Sequence, residues 1–443
     1  MRLRITRTVG LFICGLLGLA ALGQPAPLPV SAQIVSGTIA YMRDNDATGD
    51  EIWLIEPDGS HNRRIWSTGQ PDPYVGDPFG ITDLDWRPDA GAIAFVSQHE
   101  QACSIYESDL YLISPDGSGY RRITNSPGCA ALASYPKGNV TVTVRNFSNR
   151  NQLLVYVQGA PEMKLVVPAG GANTVTFTDV ADLGAGVLQQ AVVSDGPDRW
   201  TAPIALADVK PGQTVHAGML DVLGNGVESF GAYVPSWHSD GSRIGFIISG
   251  CGGMGQISAH PLVNESGTYL LQAQNVLACT MDWGPTPALA NQLLYYIQVK
   301  DGVGDGGIYR VTEGSDSRGD ELVDTGIEGI IDLQWLPDGS GFLFTKQDSL
   351  DGSNVYHYDF ASGGVTQLTQ FTNEFAIDVS TSPDGQWIVF ERATTNDLSA
   401  GDLWIMRRDG TNQRLLVQNG MRPSWSQHAP VLPKKILIPL IQR

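Results

Sequence analysis

Basic residues are scarce in this chain. Its 28 Lys and Arg stand against 46 Asp and Glu, a formal net charge of −18 at pH 7. No dense Lys/Arg cluster occurs in the body of the sequence, so it lacks the basic face that a nucleic-acid binder needs to displace counterions. The same deficit argues against an anionic membrane surface as partner, and the simplest use of the acidity is solubility. Cysteine is rare too, five in 443 residues, with no two close pairs spaced for zinc. There is no Gly-x-Ser-x-Gly nucleophile elbow and no Gly-Lys-Ser/Thr phosphate loop. His99-Glu100 lacks the second histidine of a zinc helix.

The chain opens with a basic segment, MRLRITR, and an apolar run, VGLFICGLLGLAALG. With small residues before Gly23 and again before Ala32, this reads as a secretory signal cleaved after one or the other. QPAPLPVSA between the two sites reads as an unstructured lead-in. Residues 1–32 are therefore set apart from the fold. The mature chain is expected to be exported, periplasmic or extracellular, without a transmembrane span. Four cysteines remain, Cys103, Cys129, Cys251 and Cys279, an even number suited to disulfides in an oxidising compartment. At the other end, PKKILIPLIQR is basic and apolar but too short to cross a bilayer. Residues 431–443 are read as a tail, either a surface anchor or a frayed terminus.

Glycine (51) and proline (26) are plentiful, which favours tight turns and short strands over long helices. They fall in a repeat of about forty residues. One copy runs DLDWRPDAGAIAFVS, SDLYLISPDG, YRRIT over 83–124; others start at YVPSW, TMDW, DLQWLPDG and DVSTSPDG. Each copy holds four apolar runs of strand length, and Pro-Asp-Gly turns recur between the first and second and between the third and fourth. Each therefore predicts a four-stranded antiparallel meander. Such a sheet cannot bury both faces alone, but sheets stacked radially about an axis can. The first copy, SGTIAYMR, DEIWLIEPDG, RRIWS, lacks its opening strand, and the last, RPSWS at 422–426, is nothing but that strand. The expectation is an all-β, six-bladed β-propeller closed by the C-terminal strand, because an open array would leave an apolar edge exposed.

The pattern SPDG…I.F…DLW.M..DG…R.L in 382–415 resembles the propeller repeat of the TolB family. It is also similar to the amino-terminal propeller of dipeptidyl peptidases and the tricorn protease. The resemblance covers 36–130 and 230–427 and implies the propeller fold. Two copies depart from it: GPTPALAN (284–291) replaces a turn, and Thr381 stands where Trp is expected. Such propellers serve as binding scaffolds, as accessory domains to peptidases and occasionally as enzymes. No α/β-hydrolase segment like that of the dipeptidyl peptidases follows in this sequence.

Residues 131–229 break the period. Alternating strands such as VTVTVRNF, LVVPAGGANTVTF and TVHAGML lack the repeat signature and predict a small β-sandwich inserted between the second and third units. LVVPAGGANTVTF is similar to a strand–turn segment of immunoglobulin-like modules in exported bacterial proteins. The domains are thus 33–130 for the first two propeller units, 131–229 for the inserted sandwich, and 230–430 for the remaining units and closing strand. In an up-down meander, the loop leaving strand four and the loop joining strands two and three share a rim. The sandwich should then sit beside the channel mouth. Cys103 and Cys251 lie in loops between strands two and three, and Cys129 and Cys279 follow strand four. The expected disulfides are Cys103–Cys129 and Cys251–Cys279.

Two features bear on ligands. Asp44, Asp46, Thr48 and Asp50 space oxygens as a calcium loop does, but the Gly and closing Glu of an EF-hand are unmatched. A solvated turn is preferred to a calcium site, and no cofactor is expected. Asp83, Asp332 and Asp378 open innermost strands, and Asp85 and Asp282 stand beside the Trp. These five are the candidate ligand-binding residues, a ring of negative charge for a cation or basic peptide, set against the alternative that each caps a local turn. His61, His216, His238, His260, His357 and His428 fall at unrelated positions within their units. Trp86, Trp237, Trp283, Trp335 and Trp425, one per unit, read as packing between blades. No catalytic constellation results. The expected protein is an exported, monomeric, non-catalytic binding scaffold recognising a protein, peptide or glycan on the channel-mouth face. The alternatives are a secreted hydrolase or polysaccharide lyase using the channel, and a cell-surface structural module.

Overall fold

A computed structural model describes residues 36–427 apart from 46–48, 70–79, 126, 149–152, 167–170, 185–186, 188, 195–198, 202–203, 207, 224–226, 229–230, 249–255, 263–268, 271–277, 301–304, 316, 327–328 and 396–399. The expected secretory signal and tail, with Asp46, Thr48, Cys251 and His428, lie outside the described residues. Among those described, structure is almost all β, with two four-residue helices at Gln101–Ser104 and Cys129–Leu132. No helix among them is long and apolar enough to cross a membrane.

The repeats form six four-stranded antiparallel sheets. The second sheet is Ile81–Trp86, Asp109–Ile113 and Arg121–Arg122 with Ile93–Ser97 between the first two. The third starts at Ala232–Trp237, the fourth at Ala278–Trp283, the fifth at Ile330–Trp335 and the sixth at Phe375–Thr381. The first strands Ile81–Trp86 and Ile330–Trp335 share one pattern of buried and half-buried residues, whereas Ile93–Ser97 and Phe375–Thr381 are buried throughout. That is the signature of sheets covered on both faces. The turns follow from local chemistry. Asp58, Asp116, Asp338 and Asp409 each accept the backbone N–H two residues on, at 2.8–3.0 Å. Gly59, Gly117, Gly339 and Gly410 take φ of +71 to +88° beside them, where an L side chain would be strained.

The first sheet is assembled from both ends of the described chain. Ile39–Arg43, Glu51–Ile55 and Arg63–Ser67 come from the start, and Met421–Trp425 pairs antiparallel with Ile39–Arg43, Ile39 opposite Trp425 and Ala40 opposite Ser424. Thr38 N donates to Ser426 Oγ at 2.8 Å and Ser426 N to Thr38 O at 2.9 Å, extending the join. Apolar clusters span successive sheets: Met42 and Leu54 with Trp86 and Phe95, Val96 with Trp237, Ile257 with Trp283, Tyr296 with Trp335, Leu343 with Phe390. A further cluster joins Leu403 and Ile405 of the sixth sheet to Tyr41 and Trp425 of the first. All five repeat tryptophans are at most 5% exposed, so they are packing residues. Each large apolar side chain so buried stabilises by about 1.5–3 kcal/mol.

Between the second and third sheets lie two more. One orders Lys164–Val166, Leu153–Val157, Gln190–Val193 and Ile204–Ala205; the other orders Ala172–Ala181, Lys137–Asn146 and Thr214–Val222, the last pair parallel. They share one core that includes Val140, Val142, Val155, Phe177 and Val193. This core is separate from the six clusters above. It meets the second sheet through Ile105 against Tyr156 and Val192, and through a bond from Gly159 N to Cys103 O at 2.8 Å. Cys103 and Cys129 form the expected disulfide there, Cα atoms 5.9 Å apart. Cys279 is also disulfide-bonded. Replacing Cys103 and Cys129 together by Ala should lower unfolding stability by about 3 kcal/mol, read as an earlier denaturant midpoint; an unchanged midpoint would show that the bridge constrains nothing.

Candidate functional site

The first strands carry the site, and one register position builds it. Three residues before the repeat tryptophan stand Asp83, Val234, Thr280 and Asp332; Asp378 and Arg422 hold the same place in DVST and RPSW. All six line one cavity of about 230 Å³, with Met42, Ile81, Tyr233 and Ile331 among its other walls. A β-bulge recurs in the pairing of every first strand here, as between Ile81 and Asp83, Tyr233 and Ser236, and Ile330 and Asp332. Bulges re-aim a side chain, and here they turn this position inward. At Val234 and Arg422 the backbone is driven to φ 49° and 52°, a conformation that non-glycine residues rarely adopt, least of all the β-branched valine.

The residue just before the tryptophan does different work. Trp237 N donates to Asp85 Oδ2 at 2.9 Å, Trp283 N to Ser236 Oγ at 3.0 Å and Trp335 N to Asp282 Oδ2 at 2.7 Å. Thr381 N donates to Gln334 Oε1 at 2.8 Å, Trp425 N to Ser380 Oγ at 2.9 Å and Trp86 N to Ser424 Oγ at 3.2 Å. Each bond runs from one sheet to the next, and the sixth leads back to the second sheet from which the series set out. Thr381 joins this series without an indole, so the backbone bond is what recurs. Asp85 and Asp282 are therefore occupied as struts between sheets, and neither lines the cavity. Of the five candidate carboxylates, Asp83, Asp332 and Asp378 come together there.

Sequence reasoning missed two members. Arg422 donates from Nη1 to both Asp378 oxygens, at 3.1 and 2.9 Å, and its backbone N donates to Glu391 Oε2 at 3.0 Å. Glu391 is fully buried, and its carboxyl shares a hydrogen bond with Asp378. Arg422 could have been found by writing RPSW beneath DLDW and DLQW; Glu391, on a second strand, carries no such signal. Burial, with Asp378 adding repulsion, pushes Asp83 up to about 7 and Glu391 to about 8. Burial and the charges of Asp378 and Asp83 raise Asp332 well above the carboxylate range. Burial alone would lower Arg422, but the surrounding Asp378, Glu391, Asp83 and Asp332 hold it protonated above its usual range. The cavity therefore holds one firm guanidinium–carboxylate pair and several carboxyls that keep protons near neutrality. Thr280, 1% exposed, has a hydroxyl without a partner among the described residues.

The other candidates are structural. Asp50 accepts Ile81 N at 2.7 Å, tying the first sheet to the second. His99 bonds Ser97 Oγ and Tyr120 OH, both at 2.8 Å, and burial followed by Arg122 pushes it down to about 3, so it stays neutral. Glu100 accepts Arg122 Nη1 at 3.1 Å and Cys129 N at 3.0 Å. No group of three His, Cys, Asp or Glu suited to a metal occurs among the described residues.

With this geometry in view, TolB from Acinetobacter baumannii is similar in fold: TM-score 0.52 at 17% identity, over 89% of this chain and 67% of that one. The fold is a TolB-type β-propeller. A nidogen/laminin complex matches more weakly, with TM-score 0.44 and 8% identity over 88% of this chain and 100% of that one. Puromycin hydrolase, as its S511A mutant, matches at TM-score 0.36 and 15% identity over 76% and 48%. No family model matches the chain.

The raised carboxyls set a pH dependence. Unfolded Asp and Glu ionise near 4, whereas Asp83 and Glu391 keep protons to about 7 and 8 when folded. The folded state thus binds more protons than the unfolded one between these limits, and stability falls as pH rises through them, by up to about 1.4 kcal/mol per pH unit for each proton. His99 has the opposite sign but acts only below about 6.5. Between pH 6.5 and 8.5 the denaturation midpoint should fall, and fall less steeply in Glu391→Gln; a flat profile in the parent protein would contradict this electrostatic account.

Proposed function

We propose that the six sheets are the blades of a six-bladed propeller closed by Met421–Trp425, and that an immunoglobulin-like sandwich (131–229) is inserted between propeller segments 33–130 and 230–430. The exported protein is a non-catalytic binding scaffold whose ligand, a protein, peptide or glycan, engages the channel mouth. The observation that carries this reading is the cavity formed by one register position of six strands, with Asp83, Asp332 and Asp378 around a single guanidinium. A ligand ammonium or guanidinium group entering it displaces the protons on Asp83 and Asp332 and gains Coulomb attraction in a dry site. The unpartnered hydroxyl of Thr280 supplies a further acceptor. The Cys103–Cys129 bridge is consistent with an oxidising compartment.

A secreted hydrolase or lyase is the second reading. One observation favours it: Asp83 titrates near neutrality, where a general acid works. Calorimetric titration with trilysine separates the two. The scaffold reading expects saturable binding that releases protons, tightens from pH 6 to 8, and weakens about tenfold or more in the variant carrying Asp83→Asn, Asp332→Asn and Asp378→Asn. Equal affinity in that variant would remove the acidic cavity from ligand recognition.

A further inference from the structure

A second cleft, of about 430 Å³, opens between the fifth and sixth sheets and shares no residue with the axial cavity. The sixth sheet contributes Gln386, Arg407, Arg408 and Asp409, and the fifth contributes His357 and Thr366. Comparison among the repeats singles out this place. The turn between the third and fourth strands reads EPDG at 56–59 and SPDG at 114–117, but RRDG at 407–410. The turn itself is unchanged: Gly410 N donates to Arg407 O at 2.9 Å, Thr411 N to Asp409 Oδ1 at 3.0 Å, and Gly410 has φ 82°. Turn formation therefore does not require two arginines; proline, which presets the backbone, serves the first and second copies.

Nor does internal pairing use up their donors. The Arg407 guanidinium lies over the Trp387 ring at 4.9 Å and makes no ion pair among the described residues. Stacking of this kind fixes the guanidinium plane while leaving its N–H edge for a partner. Arg408 Nη1 stands 3.7 Å from Asp338, a carboxylate 60% exposed, and Nη2 donates to Ser340 Oγ at 3.2 Å. Nη2 also faces His357 Nε2 at 3.4 Å. Such an exposed ion pair is weak and readily exchanged. Asp409, on the rim, accepts the N–H and O–H of Thr411, and its attraction to Arg407 acts only through space, with no ion pair among the described residues. The exposed Gln386 amide and Thr366 hydroxyl complete a cleft in which donors outnumber acceptors.

We infer that the cleft between the fifth and sixth sheets binds an oxyanion, a carboxylate, sulfate or phosphate group, through the guanidinium of Arg407 with Arg408 and Gln386. The planar fork of Arg suits two-point contact with any of the three. The inference is independent of the axial site. Calorimetric titrations at constant ionic strength with sulfate, inorganic phosphate and glucuronate test it. One saturable site is expected for at least one anion: sulfate and phosphate alone assign a tetrahedral group, glucuronate alone a carboxylate. Arg407→Gln should weaken binding about tenfold or more with an unchanged melting temperature. The Asp83/Asp332/Asp378 triple Asn variant should bind as the parent does. No saturation by any of the three, or equal affinity in Arg407→Gln, would overturn the site.

Discussion

The pairing of Met421–Trp425 with Ile39–Arg43 is the interaction on which the rest depends. A sheet edge with unpaired backbone groups and apolar side chains is costly to expose. Here the edge of the first sheet is covered by a segment hundreds of residues later in the chain. The pairing also seats Trp425 against Leu403 and Ile405, places Ser424 where Trp86 N and Asp85 meet it, and delivers Arg422 to Asp378. Ladder, core, strut and charge all pass through five residues. The last strand is thus both the fastener of the fold and a wall of its cavity.

Two neighbouring positions on the first strands divide structure from chemistry. The residue before the tryptophan accepts, through its side-chain oxygen, the backbone N–H at the tryptophan position of the next sheet, and it is Asp, Ser or Gln because each offers an oxygen at the right reach. The residue two places earlier lines the cavity and is acidic, basic, hydroxyl-bearing or β-branched apolar in different sheets. No bond of the strut series uses the side chain at that second position, so it is where recognition can be encoded on an otherwise repetitive frame. The acidity gathered there is tempered by Arg422 and by retained protons, because several bare carboxylates in so confined a space would repel one another.

The legible features of the sequence were the local ones. Asp-Gly turns, strand-length apolar runs and the orphan RPSWS segment report short-range chemistry, and they anticipated the sheets and the shared first one. Cys103 and Cys129 were paired by loop parity and are bonded. The roles of Asp85 and Asp282 were not legible, because a strut is defined by the neighbouring sheet, and nothing in DLDW or TMDW names that neighbour. The recurrent bulge was hidden for a related reason: a period of two assigns faces only while the register is unbroken. The two four-residue helices around the disulfide are too short to show a helical period.

The central claim is that the terminal strand closes the wheel. The direct measurement is thermal unfolding of a chain ending at Gly420, alone and with a synthetic peptide spanning residues 421–427 added in excess. The account predicts a clearly lower melting temperature for the shortened chain and recovery toward the parent value as the peptide occupies the vacant edge. A shortened chain that melts with the intact one, indifferent to the peptide, would contradict it.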